Sequence, residues 1–117
     1  MQHDPRAWLW DVRQAVDKIA TFIEGRNFGD YLADAMVRSA VERQCEIIGE
    51  ALNRLSQEAP ELAGRIEVRR RAIAMRNILI HGYREVDDEA VWQTATEDLP
   101  ALRAQLTALL TELGDRP

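Results

Sequence analysis

One cysteine, one lysine and two histidines are all that 117 residues contain of those three side chains. The lone thiol, Cys45, excludes an internal disulfide framework and a cysteine-rich zinc site. No uncharged apolar run exceeds a few residues, so no segment reads as a bilayer span and no signal peptide is expected. The reading is a cytoplasmic chain without membrane contact. Strand signals are nearly absent, with no alternating β-branched runs and no Asn-Gly or Asp-Gly turns. Internal repeats and low-complexity stretches are absent too.

What remains is a globular composition, 46% hydrophobic and 30% charged, which sets the chain apart from disordered sequences. Its length suits one domain over residues 1–117, large enough to hide roughly two-thirds of the unfolded surface. The 15 basic residues face 20 acidic ones, for a net charge of −5, which argues against a general nucleic-acid coat protein. The charges are not mixed evenly. All the cations but Lys18 are arginine, and Arg65 to Arg84 holds six of them with a single acid, Glu67. That segment is either a solvated helix face or a phosphate-binding strip on an otherwise acidic body.

The periodicity is helical. Asp4-Pro5 is an N-cap followed by proline at the first helical position. Trp8, Val12, Ala15, Val16, Ile19 and Ile23 recur at three- and four-residue steps, and Gly25 offers a stop. After a connector, with Asp30 as a candidate cap, one long helix is predicted from about Tyr31 to Gln57. Its stripe runs Ala33, Val37, Val41, Ile48, Leu52, with Met36, Cys45 and Ile47 widening it. Gly49 inside it costs about 1 kcal/mol relative to alanine and would let a helix or a partner's backbone approach closely. Pro60 breaks this helix. A third is predicted from about Glu67 to Ile80, ended by Gly82. The last helical region starts near Asp87 and runs to about Leu113, with a kink or an Asp98-capped restart at Pro100. The fold expected is an all-α antiparallel bundle of four to five helices.

Few residues can carry chemistry. His3 sits near the start of the chain and is expected to be idle. His81 closes the run RNILIHGY (Arg76 to Tyr83), where an imidazole beside a permanently charged guanidinium suits work on a phosphodiester. The arginine would neutralise the phosphate while the histidine moves a proton. The plainer alternative is a histidine favoured at a helix C-terminus by the dipole. Five helical steps put Arg76 and His81 about 140° apart, so an unbroken helix would not aim both at one small target. Either the helix unwinds before Gly82 or the site is assembled across a dimer. Trp8, Trp10 and Trp92 read as core or dimer-interface residues rather than base-stacking platforms, and Cys45 as core. Glu46 and Glu50 either pair with arginines of the third helix or shape a cleft.

The Arg-polar-x-x-x-His-x-Tyr run resembles the signature of HepT-like toxins in the HEPN superfamily. The resemblance extends to CEIIGEAL (Cys45 to Leu52), VDDEAVW (Val86 to Trp92) and DLPAL (Asp98 to Leu102), in order along nearly the whole chain. It departs at the third helix's entrance, where several relatives carry an Ile-Pro-Trp-like segment and this chain has Glu67-Val68-Arg69-Arg70-Arg71. That triple arginine is either an RNA contact or a solvated turn.

The resemblance implies a homodimeric, metal-independent endoribonuclease without a cofactor, the toxin of a type VII toxin–antitoxin pair. Two copies of the motif would face each other at the dimer interface. Arg76 would bind the scissile phosphate and His81 would act as general acid or base, with Asn77 in support. Arg69, Arg70, Arg71 and Arg84 are candidate RNA contacts. A minimal nucleotidyltransferase antitoxin would silence the toxin by transferring AMP to Tyr83. The alternative is a non-catalytic HEPN interaction module that binds a nucleotidyltransferase or a nucleotide through the same residues.

Overall fold

A computed structural model describes residues 4–114; His3 lies outside them. Helix α1 (Pro5–Ile23) begins as expected, with Asp4 accepting from the Arg6 N–H and Pro5 in the first turn. Its apolar stripe of Leu9, Val12, Ala15, Val16 and Ile19 is buried, and Gly25 follows it with a φ of 73°.

The long second helix is in fact two. Asn27 and Asp30 form a reciprocal capping box that starts α2 (Phe28–Ala33). Asp30 is therefore the third residue of a short helix and not its cap. Asp34 then closes α2 and caps α3 (Ala35–Glu58), its carboxylate accepting from the Met36 and Val37 N–H groups. This break resets the helical phase. Ala33 and Met36, expected on the apolar face, are exposed, Met36 by 81%, whereas Tyr31 is fully buried.

Pro60 does break the chain, and it also opens the single turn α4 (Pro60–Ala63). Next, Gln105 ties down the turn before α5: its side chain donates to the Arg65 carbonyl and accepts from the Glu67 N–H. Helix α5 spans Arg69–His81 and ends on Gly82, whose N–H bonds the Ile78 carbonyl. A 3₁₀ turn, Tyr83–Glu85, leads to α6 (Asp88–Gln93), capped by Asp87.

Before the proline the chain does not restart on an Asp98 cap. One π turn, Thr94–Asp98, joins α6 to α7 (Leu99–Glu112), and the Leu99 N–H reaches back five residues to the Thr94 carbonyl. The widened turn accommodates the N–H that Pro100 lacks. Asp98 makes no capping bond and pairs with Arg71 at 3.3 Å instead.

The outcome is the all-α bundle expected, with more segments than four or five because three are short. Helix α3 is central, packed on α1 and on α5, while α7 closes against α1. Among the described residues no helix is long and apolar enough to cross a membrane. The tryptophans pack against the core: Trp92 lies 5.2 Å from the Tyr31 ring and 6.2 Å from the Phe28 ring. Trp8 donates to Glu58 at 3.1 Å, and the Arg13 guanidinium lies over the Trp10 ring.

Candidate active site

Helix α5 presents three faces, following from 100° per residue. Ala72 and Leu79 point into the core. Arg69, Ile73, Arg76 and Ile80 form a stripe beside α3. Arg70, Ala74, Asn77 and His81 form the outer stripe, and all four are exposed. The helix is unbroken through His81, so unwinding before Gly82 does not occur. Arg76 and His81 therefore leave one rod about 140° apart. Among the described residues no hydrogen bond or ion pair joins them.

Close packing sets the position of Arg76. Gly49 of α3 lies under it, and a Cβ there would overlap Arg76 Cβ and stand 2.7 Å from the Ala72 carbonyl oxygen. Gly49 thus admits the crossing helix α5. From that crossing the Arg76 side chain, mostly covered, reaches Glu50 Oε2 with one Nη at 2.9 Å and donates from the other to Asn77 Oδ1 at 2.9 Å. Its Nε is buried with no hydrogen-bond partner. Arg54 holds the second Glu50 oxygen at 3.1 Å. Around Arg76 lies a groove of about 270 Å³ lined by Trp8, Glu46, Ile47, Glu50 and Ile80. Glu46 turns to Arg43 at 3.3 Å rather than to α5.

Past Gly82, the Tyr83 ring is 61% exposed, yet its hydroxyl donates to Glu42 Oε1 at 3.1 Å. Glu42 sits on α3, is only 7% exposed, and forms no ion pair among the described residues. Burial pushes its carboxyl above the ordinary glutamate range, and the Tyr83 hydrogen bond offsets only part of that. In turn Glu42 pushes the Tyr83 phenol up, first through the hydrogen bond and then through its charge. Behind the pair, burial raises the Tyr31 phenol and lifts the Cys45 thiol to about 12.

Comparison with known proteins decides the family. The description "Ribonuclease HepT-like" matches residues 12–109. A protein of Thermococcus cleftensis named "Probable ribonuclease HepT" is 35% identical over 109 residues, covering 93% of this chain and 98% of its own. Proteins named "Putative RNase" from Caldanaerobacter subterraneus and Methanocaldococcus jannaschii are 31% and 28% identical, over 91% and 98% of this chain and 94% and 98% of theirs. No solved structure matches significantly. The chain belongs to the HepT-like ribonuclease family.

Within this HepT-like ribonuclease, Arg76 and Asn77 are hydrogen-bonded neighbours, while His81 stands apart on the outer stripe. Arg70 lies on that same stripe, without an ion pair among the described residues. Arg71 is engaged by Asp98, and Arg69 shares the Arg76 stripe at half exposure. Arg84 is exposed on the 3₁₀ turn. Glu50 does pair with the third-helix arginine, one of the two roles expected for it. Glu42 is the residue that sequence reasoning missed. Its signal was position: Glu42, Cys45, Gly49 and Leu52 follow one another at helical steps, which puts a carboxylate on the buried face.

Proposed function

We propose that this HepT-like ribonuclease is the toxin of a toxin–antitoxin pair, and that it cuts RNA as a homodimer whose cleft holds both copies of Arg76 and His81. The supporting observation is the unbroken α5. A rod that carries arginine and histidine on different flanks leaves a single chain with two halves that cannot close on one phosphate. The groove beside Arg76, with Trp8, Ile47 and the exposed Ile80 on its walls, suits a second copy.

The chemistry follows from the two side chains and from RNA itself. One His81 imidazole takes the proton of a ribose 2′-hydroxyl, and that oxygen attacks the adjacent phosphorus. The bond from phosphorus to the 5′ oxygen breaks as His81 of the partner subunit, in its protonated form, gives that oxygen a proton. Arg76 neutralises the charge that builds on the phosphoryl oxygens, exchanging part of its contact with Glu50 for the phosphate. Asn77 holds the guanidinium through its side-chain carbonyl. The products are a 2′,3′-cyclic phosphate and a 5′-hydroxyl, and no step requires a metal. Arg70 and Arg84 extend the basic surface along the RNA backbone. A nucleotidyltransferase antitoxin ends the activity by placing AMP on Tyr83, where added negative charge repels RNA.

The test is cleavage of RNA by purified protein in the presence of EDTA, with end-group analysis. Cyclic phosphate ends, lost by about 10²-fold or more in H81A, support the reading. A mixed dimer of one wild-type and one H81A chain should fall far below half the wild-type rate. Exactly half would overturn the shared cleft, and undiminished H81A activity would overturn the role of the histidine.

A further inference from the structure

Tyr83 combines two properties that rarely meet: an open ring and a hydroxyl engaged by a buried acid. The ring stands on the surface turn after α5, accessible to another protein. Its hydroxyl bonds a carboxylate 41 residues earlier in the chain, at 3.1 Å. Glu42 forms no ion pair among the described residues, although burying an unpaired carboxylate is costly. The Arg38 side chain is near enough to favour the charge, yet its Nη1 donates to the Leu32 carbonyl. Stability alone gives no reason for an acid here. A role at the phenol does.

We propose that Glu42 is the proton acceptor for Tyr83 when that tyrosine receives its adenylyl group. The inference rests on the AMP-transfer reading above and assigns it a second residue. The phenolic oxygen attacks the α-phosphorus of a nucleoside triphosphate held by the partner enzyme. The Tyr83 Oη–phosphorus bond forms, the bond from that phosphorus to the bridging oxygen breaks, and pyrophosphate leaves. The phenolic proton passes along the existing hydrogen bond to Glu42 Oε1, already within the distance that proton transfer needs. The target thus supplies its own base, and the partner need only bring the nucleotide.

The surroundings favour this role. Burial raises the proton affinity of Glu42 and Asp88 and Glu46 raise it further, while the Tyr83 hydrogen bond and Arg38 oppose them. Behind Glu42 stand the Tyr31 hydroxyl, buried without a hydrogen-bond partner, and the Cys45 thiol, both kept protonated by burial. Once AMP is attached the phenol has no hydrogen left to donate. A phosphodiester anion then faces the carboxylate whenever Glu42 ionises. The modified ring is pushed off its resting contact.

The experiment follows adenylylation of the full chain by its cognate nucleotidyltransferase and ATP, using intact-protein mass against time. Wild type is compared with E42Q, which keeps an acceptor oxygen but takes no proton, and with E42D and Y83F. A drop of about 10²-fold in E42Q, at a melting temperature no lower than that of wild type, supports the proposal. So does partial recovery in E42D. The wild-type rate should also fall on the acid side as Glu42 protonates, and E42Q should lack that limb. Equal rates for wild type and E42Q, or an acid limb that persists in E42Q, overturn the proposal alone. If wild-type Tyr83 gains no adenylyl group, the AMP-transfer reading falls and this inference with it.

Discussion

Gly49 and Arg76 meet backbone to side chain at the crossing of α3 and α5, with no room between them for a methyl group. The contact joins the central helix of the fold to the residue proposed to hold the phosphate.

Alanine at 49 would gain about 1 kcal/mol of helix propensity and lose more to overlap with Arg76 Cβ and the Ala72 carbonyl. We expect G49A to be destabilised by about 1–3 kcal/mol in urea unfolding. Ribonuclease activity should fall further than the folded fraction does, because α5 must shift to relieve the overlap.

Removing the acid that faces Arg76 should act on RNA more than on folding. The Arg76–Glu50 pair is partly open to solvent, so E50Q should change stability by less than about 1 kcal/mol. RNA binding by E50Q should tighten roughly fivefold at low salt, since a negative charge leaves the phosphate site. The gain should shrink as salt rises. Titration at two ionic strengths checks both, and weaker binding would mean that Glu50 positions the guanidinium rather than competing for it.

The two adjacent arginines should separate cleanly. Arg70 shares the His81 stripe and Arg71 is held by Asp98. R70A should weaken RNA binding and lower the slope of log affinity against log salt by about 1. R71A should leave that slope unchanged. Equal effects from both would assign the triple arginine to a diffuse field.

Glu42 gives stability a pH dependence of unusual sign for a carboxylate. Its proton is held more tightly in the folded chain than in the unfolded one. Between the ordinary glutamate range and that raised value, the folded state binds more protons, so this group's contribution to stability falls as pH rises. E42Q lacks the effect and still offers an oxygen to Tyr83. Its stability relative to wild type should therefore increase from about pH 4 toward pH 8 in urea unfolding. A constant difference across that range would rule out the strain assigned to the buried carboxylate.

Local punctuation made most of the fold legible. Asp4-Pro5 and Gly82 mark helix ends by chemistry that acts within a few residues. The division at Asp34 was hidden because the apolar steps from Ala33 through Val37 to Val41 continue in phase across it. The available clue was Asp34 itself, an N-cap residue type directly before Ala35. Pro100 announced a disturbance, but a π turn is one residue too many in a helix, and no single side chain encodes it. At the site, Arg76, Asn77, His81 and Tyr83 were all visible as a motif, and rotation per residue already separated the arginine from the histidine. Contacts between α3 and α5 were harder to read. Glu50 was one of two alternatives, and Glu42 disappeared among charges assumed to be solvated.

The continuity of α5 through His81 also bears on dosage. If Arg76 and His81 work together only across a dimer, as proposed, a newly made chain would be harmless until it meets another. At low copy number the injury to the cell would then grow with the square of the number of chains. Small leaks in expression would go unnoticed, and a burst would be punished out of proportion. The silencing partner would need to win only a race against encounter, modifying each chain before it finds its twin.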